Sequence, residues 1–591
     1  MGELVIPNTS RHDVSTYDIL VDDAAIDPAF QVLSISVVKE ANKIPVAKIV
    51  FRDGEAADRT FAISNEAFFI PGKKIKVKVG RDGNNTQVFK GVITKHAIKV
   101  RENGNSELII ECKDEAIKMT VGRKSKYYED VKDSDVFDQL VGGYSGLSRT
   151  GDATTLQHKE IVQHHLSDWD FLLLRAEANG MLVLVSDGEI KVVKPVTTPA
   201  AVVQVTYGSS LLEFEAEMDA RTQFKSVRTR SWDYSNQQLF ESDVSSVPFT
   251  EPGNLSGSTL AEAINLEQYD LHHSGHRLEQ ELRDWANACL LRSRLAKIRG
   301  RARILGFSGI KPGDMVQLEG VGDRFTGKAY TTAVRHDISV GSWDTHIQFG
   351  LDPELYSRKI PDLHDTPSGG LVGSIQGLQV GKVMQLESDP DGENRILVRI
   401  PVIDNNAQGI WTRVASLDAG SDRGAFFMPE IDDEVIVGFI NDDPRDAVML
   451  GMMHSSAKPA PITAQDVNHE KGFTTRSGMH IHFNDDTKTI TIDTPAGNSI
   501  KLDEAGSKIE MKDQNNNTVT LSPTGIKLES PLEVKITAGT NLTLAAGAQL
   551  SIQAVSLGAK GSGSLSLEGG GSAQITSNGI TEIKGSLVKI N

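Results

Sequence analysis

Residues 526–552 read IKLESPLEVKITAGTNLTLAAGAQLSI. Apolar residues fall there in pairs one position apart: Ile526/Leu528, Val534/Ile536, Leu542/Leu544 and Leu550/Ile552, with a step of eight residues each time. Side chains two apart share one face of an extended chain, so each pair marks a short strand with one apolar and one wet face. The pattern extends back through Val519/Leu521, Ile509/Met511, Ile500/Leu502 and Ile490/Ile492, and forward, less regularly, to Leu587 and Ile590. Turn formers separate the pairs, among them Ala496-Gly497-Asn498, Pro523-Thr524-Gly525 and Gly539-Thr540-Asn541. A fixed short period of strand plus turn predicts a β-solenoid or β-helix.

No amphipathic helix follows to cover the apolar face. One copy alone would expose a long apolar stripe and many unpaired edges. Three copies wound about one axis bury the stripe and pair each strand with a neighbouring chain. The expectation is an intertwined trimeric needle with Ile490, Ile492, Ile500, Leu502, Val519, Leu521, Ile526, Leu528, Val534, Ile536, Leu542, Leu544, Leu550 and Ile552 in its core. A single-chain solenoid would need larger repeats to enclose its own core.

At 591 residues the chain has room for about four ordinary domains. A net charge of -17 argues against nucleic acid and anionic membrane surfaces as main partners. Cys112 and Cys289 are the two cysteines, which excludes a disulfide framework or a Cys-rich metal site. The start, Met1 to Pro7, lacks the basic and apolar regions of a secretory signal, so synthesis in the cytoplasm and export by another route are expected.

Residues 1–366 alternate as strands, for example Val46-Ala47-Lys48-Ile49-Val50-Phe51 and Leu108-Ile109-Ile110-Glu111-Cys112, and predict two barrel-like β pieces with helices between them. One helix should start with Ser134 or Asp135 as its cap. A second runs from Ser167 as N-cap to Gly180 in the left-handed conformation. His164, His165, Asp168 and Asp170 lack ligand spacing and are read as the solvated start of that helix. Residues 251–269 read as a polar surface loop. A long helix over 277–299 should bury Leu278, Leu282, Trp285 and Cys289. Its basic end, Arg292, Arg294, Lys297, Arg299, Arg301 and Arg303, lacks interleaved aromatics and is read as structural or as a subunit contact.

Residues 367–458 give five or six short strands, including one over 424–430, and fit a small Greek-key barrel of the OB type. Trp411, Phe426, Phe427 and Phe439 are read as core rather than as a base-stacking platform. Gly381-x-Val383, Asp389-Pro390, Arg395-x-x-Val398-x-Ile400-Pro401, Trp411-x-Arg413-Val414, Gly424-x-x-Phe427-x-Pro429-Glu430 and Asp433-Glu434-Val435-x-Val437-x-Phe439 resemble the OB module of VgrG-type spike proteins. Ser167-Asp168-Trp169-Asp170-Phe171 with its following Gly180 resembles a motif in the hub part of that family, and the needle repeats complete the likeness.

The family corresponds to the phage T4 hub and spike proteins fused into one chain. The resemblance implies a homotrimer serving a contractile injection system: type VI secretion, an extracellular phage-tail-like particle or a phage tail. Residues 1–366 would be the hub, its two tube-like barrels per chain matching the inner tube and baseplate. Residues 367–458 would be a collar, and 459–591 a linker and needle. A PAAR-type tip protein would dock on Leu587, Val588 and Ile590, and effectors would ride on the hub cavity or tip. The particle would be driven out of the cell on contraction. The expected fold is thus mainly β, with barrel hub domains, helices, an OB collar and a trimeric β-helix needle.

No catalytic residues or cofactors are expected. The linker over 455–471 is too short for a hydrolase domain, the chain stops at Asn591 just after Ile590, and no Gly-x-Ser-x-Gly, His-Glu-x-x-His or P-loop occurs. A His-x-His pair, His480 and His482, is a metal candidate of the kind seen at spike tips in this family. Here it lies at the needle's base, and the inward parity of Met479, Ile481 and Phe483 turns both histidines outward. The rival functions are a spike-borne cell-wall hydrolase and a trimeric fibre or adhesin.

Overall fold

The computed structural model describes residues 4–7, 14–102, 106–363 and 365–590. The first residues of the stretch read for a leader and the terminal Asn591 lie outside them. The chain divides into two compact units, one ending at Gly451 and one beginning at Met452.

In the first unit the strands expected as two barrels are hydrogen-bonded into one thirteen-stranded sheet. The joint is antiparallel pairing of Val32–Glu40 with Gly327–Ser339, running from Ser34 opposite Ser339 to Glu40 opposite Ala333. Two apolar cores remain, one on each side of the joint. One gathers Phe51, Phe69, Phe89 and Cys112; the other gathers Val203, Ile304, Ile347 and Phe349. The alternating strands bury every second residue, as in Glu107–Lys113, where Leu108, Ile110 and Cys112 face inward.

A helical layer packs beside this sheet. The helix Asp133–Gly142 begins one turn earlier than expected, because Asp135 is not the cap but accepts the Lys132 backbone N–H from inside the first turn. The helix Asp168–Ala178 starts as read: Ser167 Oγ accepts the Asp170 N–H at 3.1 Å, and Gly180 closes it at φ 67°. The span 251–269 is not all loop. Ser256 caps a short helix, Gly257–Ala263, and the strand Gln268–His273 begins before 269. The long helix is Glu279–Ala296, and its buried stripe is Leu282, Ala286 and Leu290. Leu278 is exposed, and Trp285 and Cys289 are only half-buried. The stripe is set by small alanines against the sheet of Ser226–Asp233, not by the largest side chains.

A closed five-stranded barrel follows: Gln379–Gln385, Ile396–Arg399, Ile410–Val414, Ala447–Met452 and Glu434–Phe439, in that order around the barrel. Val383, Val398, Val435, Val437 and Met449 fill it. Gly381 is required by close approach: a Cβ there would lie 2.4 Å from Val398 Cγ1. Asp389 fastens the following loop by accepting from the Arg395 backbone N–H at 3.1 Å and from its guanidinium at 2.6 Å. Of the strand expected over 424–430 only Gly424 is in one, the two-residue Arg423–Gly424 paired with Ala419–Gly420, and 425–430 is not strand, because five strands already close the barrel and leave no edge for a sixth. Phe426 and Phe427 accordingly stand out, 81% and 60% exposed, which overturns their reading as core. Phe439 packs on the barrel core, and Trp411 is half-buried.

Candidate functional site

The second unit opens with seven strands in an antiparallel meander, from Glu470–Thr474 to Gly525–Glu529. The expectation that each strand pairs with a neighbouring chain therefore fails over this span: the ladder is made within one chain. Turn chemistry makes that possible. Asp513 Oδ1 accepts the N–H groups of Asn515 and Asn517, Asp503 Oδ1 accepts that of Gly506, and Ser507 and Asn516 take positive φ. The backbone bond from Gly506 and the Lys501 ammonium hold the Asp503 carboxyl below its ordinary range. The first strand escaped the sequence reading because Phe473 is its single apolar residue and supplies no alternation.

Strand register lines the expected core residues up in two columns. One runs Phe483, Ile490, Leu502, Ile509, Leu521, Ile526; the other runs Ile481, Ile492, Ile500, Met511, Val519, Leu528. Among the described residues nothing covers either column. Apart from half-buried Val519, exposure runs from 36% at Ile490 to 75% at Ile526. The second column borders a trough of about 580 Å³.

The opposite face is polar. His480 and His482 lie on it, facing Asp493 and Thr491 across the ladder. His480 Nδ1 is 3.1 Å from Asp493 Oδ2, and His482 Nε2 is 3.9 Å from Glu470 Oε1. Among the described residues no group of three or more His, Cys, Asp or Glu is placed to hold a metal ion.

Beyond Glu529 the backbone changes character. None of the residues 530–590 belongs to a strand within the chain, and all from 531 onward are exposed. Val534, Ile536, Leu542, Leu544, Leu550 and Ile552, expected in strands, sit instead in extended chain with no ladder, 56% to 62% exposed. Their backbone groups have no partner strand in one copy. At the far end Leu587, Val588 and Ile590 are likewise exposed.

The basic run of the first unit is neutralised internally. Arg292 pairs with Glu177, and Arg294 and Lys297 share Glu251 at 3.4 and 2.9 Å. Arg299, Arg301 and Arg303 pair across strands with Glu217, Glu215 and Glu213 at 2.6, 2.8 and 2.6 Å. The four residues weighed as a metal cluster do not converge. His165 meets Asp365, Asp168 meets Lys124 and Gln163, and Asp170 accepts from Tyr356. Burial pushes the Cys289 thiol up to about 11 and Cys112 higher still, so neither is a reactive thiolate. No helix among the described residues is long and apolar enough to cross a membrane.

Comparison with known proteins places these parts. Residues 11–340 match the family described as the Alg8 N-terminal domain, and residues 379–454 match the type VI secretion system/phage-baseplate injector OB domain. The type VI secretion system spike protein VgrG3 of Vibrio cholerae is 36% identical over 62 residues, 10% of this chain and 6% of that protein. The actin cross-linking toxin VgrG1 of Vibrio cholerae is 26% identical over 136 residues, 22% of this chain and 12% of that protein. The chain thus spans a small part of either relative. Among solved structures, an Escherichia coli type VI secretion component similar to T4 tail proteins covers 74% of this chain and 99% of its own, at 11% identity and a TM-score of 0.35. The Francisella PdpA–VgrG complex covers 88% of this chain and 89% of its own, at 9% identity and a TM-score of 0.38. Over more than half its length the chain belongs to the family described as the Alg8 N-terminal domain; a type VI secretion system/phage-baseplate injector OB domain follows it, and over short stretches the chain is similar to VgrG-type spike proteins.

Proposed function

We propose that the protein acts as a homotrimeric spike and hub that punctures a target envelope mechanically, without catalysis. The observation that carries this is the second unit's uncovered surface: two continuous apolar columns followed by about sixty residues whose backbone has no partner strand. Three copies packed column to column would remove the apolar faces from water. Burial is worth about 1.5–3 kcal/mol for each large aliphatic side chain. In the tail, strands from neighbouring chains would complete the missing hydrogen bonds. A continuous inter-chain ladder around an apolar seam suits axial load. The first unit would meet the inner tube and baseplate, and Leu587, Val588 and Ile590 would take a PAAR-type tip protein, with effectors carried at the hub or tip.

Sedimentation velocity on the full chain tests the reading. A trimer is expected, and a soluble monomer at micromolar concentration would overturn it. A relative bears the name of an actin cross-linking toxin. The non-catalytic reading is therefore tested separately by a cell-wall zymogram and an actin cross-linking assay, both expected to be blank.

A further inference from the structure

A cavity of about 500 Å³ opens in the first unit between the hairpin of Leu182–Ser186 and Glu189–Val193 and the loop preceding Met315–Glu319. Its volume is that of a small-molecule site. One wall is apolar, built from Leu184, Val196, Val202 and Met315. Four ammonium groups line it in a chain whose net charge is -17: Lys39, Lys191, Lys194 and Lys311.

Two interior groups show a built site rather than a solvated rim. Tyr330 is 3% exposed, and its hydroxyl has no hydrogen-bond partner among the described residues. The ring is buried but the hydroxyl is not sealed from solvent: it opens into the cavity and can donate to an acceptor held there. Lys39 is largely buried, donates to Ser186 Oγ at 2.8 Å and stands 3.5 Å from its nearest carboxylate, Asp187. Burial depresses its pKa, Asp187 and Asp114 oppose that in part, and the charge of Lys311 adds to the lowering. An added anion would relieve both.

The cavity's three carboxylates are turned onto other donors. Asp152 accepts the Lys194 backbone N–H at 2.8 Å, Asp314 that of Lys311 at 2.9 Å, and Glu189 the Thr150 hydroxyl at 2.6 Å. Burial raises the Asp314 pKa, against the backbone N–H of Lys311 and the charges of Lys311 and Lys191. Lys191, Lys194 and Lys311 form no ion pair among the described residues.

We propose that this cavity binds a small molecule that joins an anionic head group, phosphate or carboxylate, to a short apolar or aromatic body. The head group would sit between Lys39, Lys191 and Lys311, accept from the Tyr330 hydroxyl and leave the body against Leu184 and Met315. The site stands independently of the spike reading.

Isothermal titration of the full chain with phenyl phosphate and with phenylacetate tests it, with benzyl alcohol and inorganic phosphate as controls. One saturable site per chain is expected for at least one aromatic anion, and which anion binds identifies the head group. Both controls should bind at least tenfold more weakly. The double variant K191E/K311E, altered at two exposed positions, should weaken binding at least tenfold with an unchanged melting curve, and Tyr330→Phe should weaken it severalfold. Absence of saturable binding by either anion at millimolar concentration overturns the proposal. So does equal binding of either control, or unchanged affinity in K191E/K311E.

Discussion

The two units solve the problem of apolar surface in opposite ways. In the first, Val37, Ile49 and Val77 are fully buried, and every hydrophobic cluster of buried residues lies at or before Met449. In the second, Ile492 and Leu542 carry the same kind of side chain at 44% and 56% exposure, with no buried cluster among the described residues. The second unit is poorer in aromatics, with Phe473 and Phe483 as its two, but geometry decides the exposure of its aliphatic side chains: a sheet layered under helices or closed into a barrel hides one face from water, whereas a narrow meander and an unpaired tail cannot. The first unit is complete as one chain. The second leaves its apolar face open, and the proposed trimer would cover it.

The largest effect should come from attacking that interface. Substituting Leu542→Asp together with Leu550→Asp would put six carboxylates on a threefold seam, where unpaired buried charge is not tolerated. Assembly should be lost outright in sedimentation, while the near-ultraviolet dichroism of the first unit stays unchanged. Hydrogen exchange on the same variant sharpens the contrast inside the needle. Amides at 534–552 should exchange at unprotected rates, and those of Ile492 and Leu502, which have partners in their own chain, should stay slow. Equal protection in both spans would abolish the distinction between meander and tail.

A second effect is confined to the first unit. Asp133 has a side chain 2% exposed and accepts from Arg175 at 2.6 Å, from Asn179 at 2.9 Å and from His158. Burial pushes its carboxyl up, but the hydrogen bonds from His158 and Arg175 outweigh that and hold it well below the usual range. Asp133→Ala would strand the Arg175 charge and should cost about 3–5 kcal/mol in denaturant titration. Oligomeric state at 25 °C should not change.

How far sequence alone reaches also differs between the units. Local order was legible where a few neighbouring residues decide it: the Ser167 cap, the Gly180 close and the strand pairs from Ile481 to Leu528, whereas the eight-residue step beyond them predicted strands that one copy does not form. Long-range pairing was not. Val32–Glu40 meets Gly327–Ser339 across some three hundred positions, and nothing in either strand's alternation names the other. The cationic run on and after the long helix gave its charge but not its partners, since Glu213, Glu215 and Glu217 lie on a strand over eighty residues earlier. Phe426 and Phe427 misled because aromatic residues in a β region read as core, and barrel closure is a property of all five strands together. The Tyr330 cavity left no pattern, being assembled from separate segments around one side chain.

A pH titration probes the joint that sequence could not show. His336 lies on it, opposite Val37 on one side and Thr345 on the other, with Nδ1 3.0 Å from the Thr345 hydroxyl and Trp343 beside it. Burial, with Lys39 and His346 adding to it and Asp337 opposing it, holds the imidazole down to about 3 against an ordinary 6.5. A base depressed on folding contributes stability that is whole above its unfolded pKa and is lost as pH falls toward the folded one. The first unit should therefore lose about 1.6 kcal/mol between pH 6.5 and 5 from this group. Trp343 fluorescence in urea reads it, and His336→Asn should flatten the slope in that window.

The smallest effect concerns an edge. Leu211–Met218 ends the large sheet and carries Glu213, Glu215 and Glu217 against Arg303, Arg301 and Arg299. Arg301 and Glu215 are 69% and 72% exposed, so solvent screens their 2.8 Å pair. Arg301→Ala should cost less than about 0.5 kcal/mol, and added salt should change little. Arg303, 29% exposed and bonded also to Asp344 at 2.9 Å, should cost more, about 1 kcal/mol. The proposed needle would meet other chains through an apolar seam. This edge carries charge, which discourages a foreign strand from adding to the sheet. A loss above about 1 kcal/mol in Arg301→Ala would instead make the ladder a support of the fold rather than a guard on its edge.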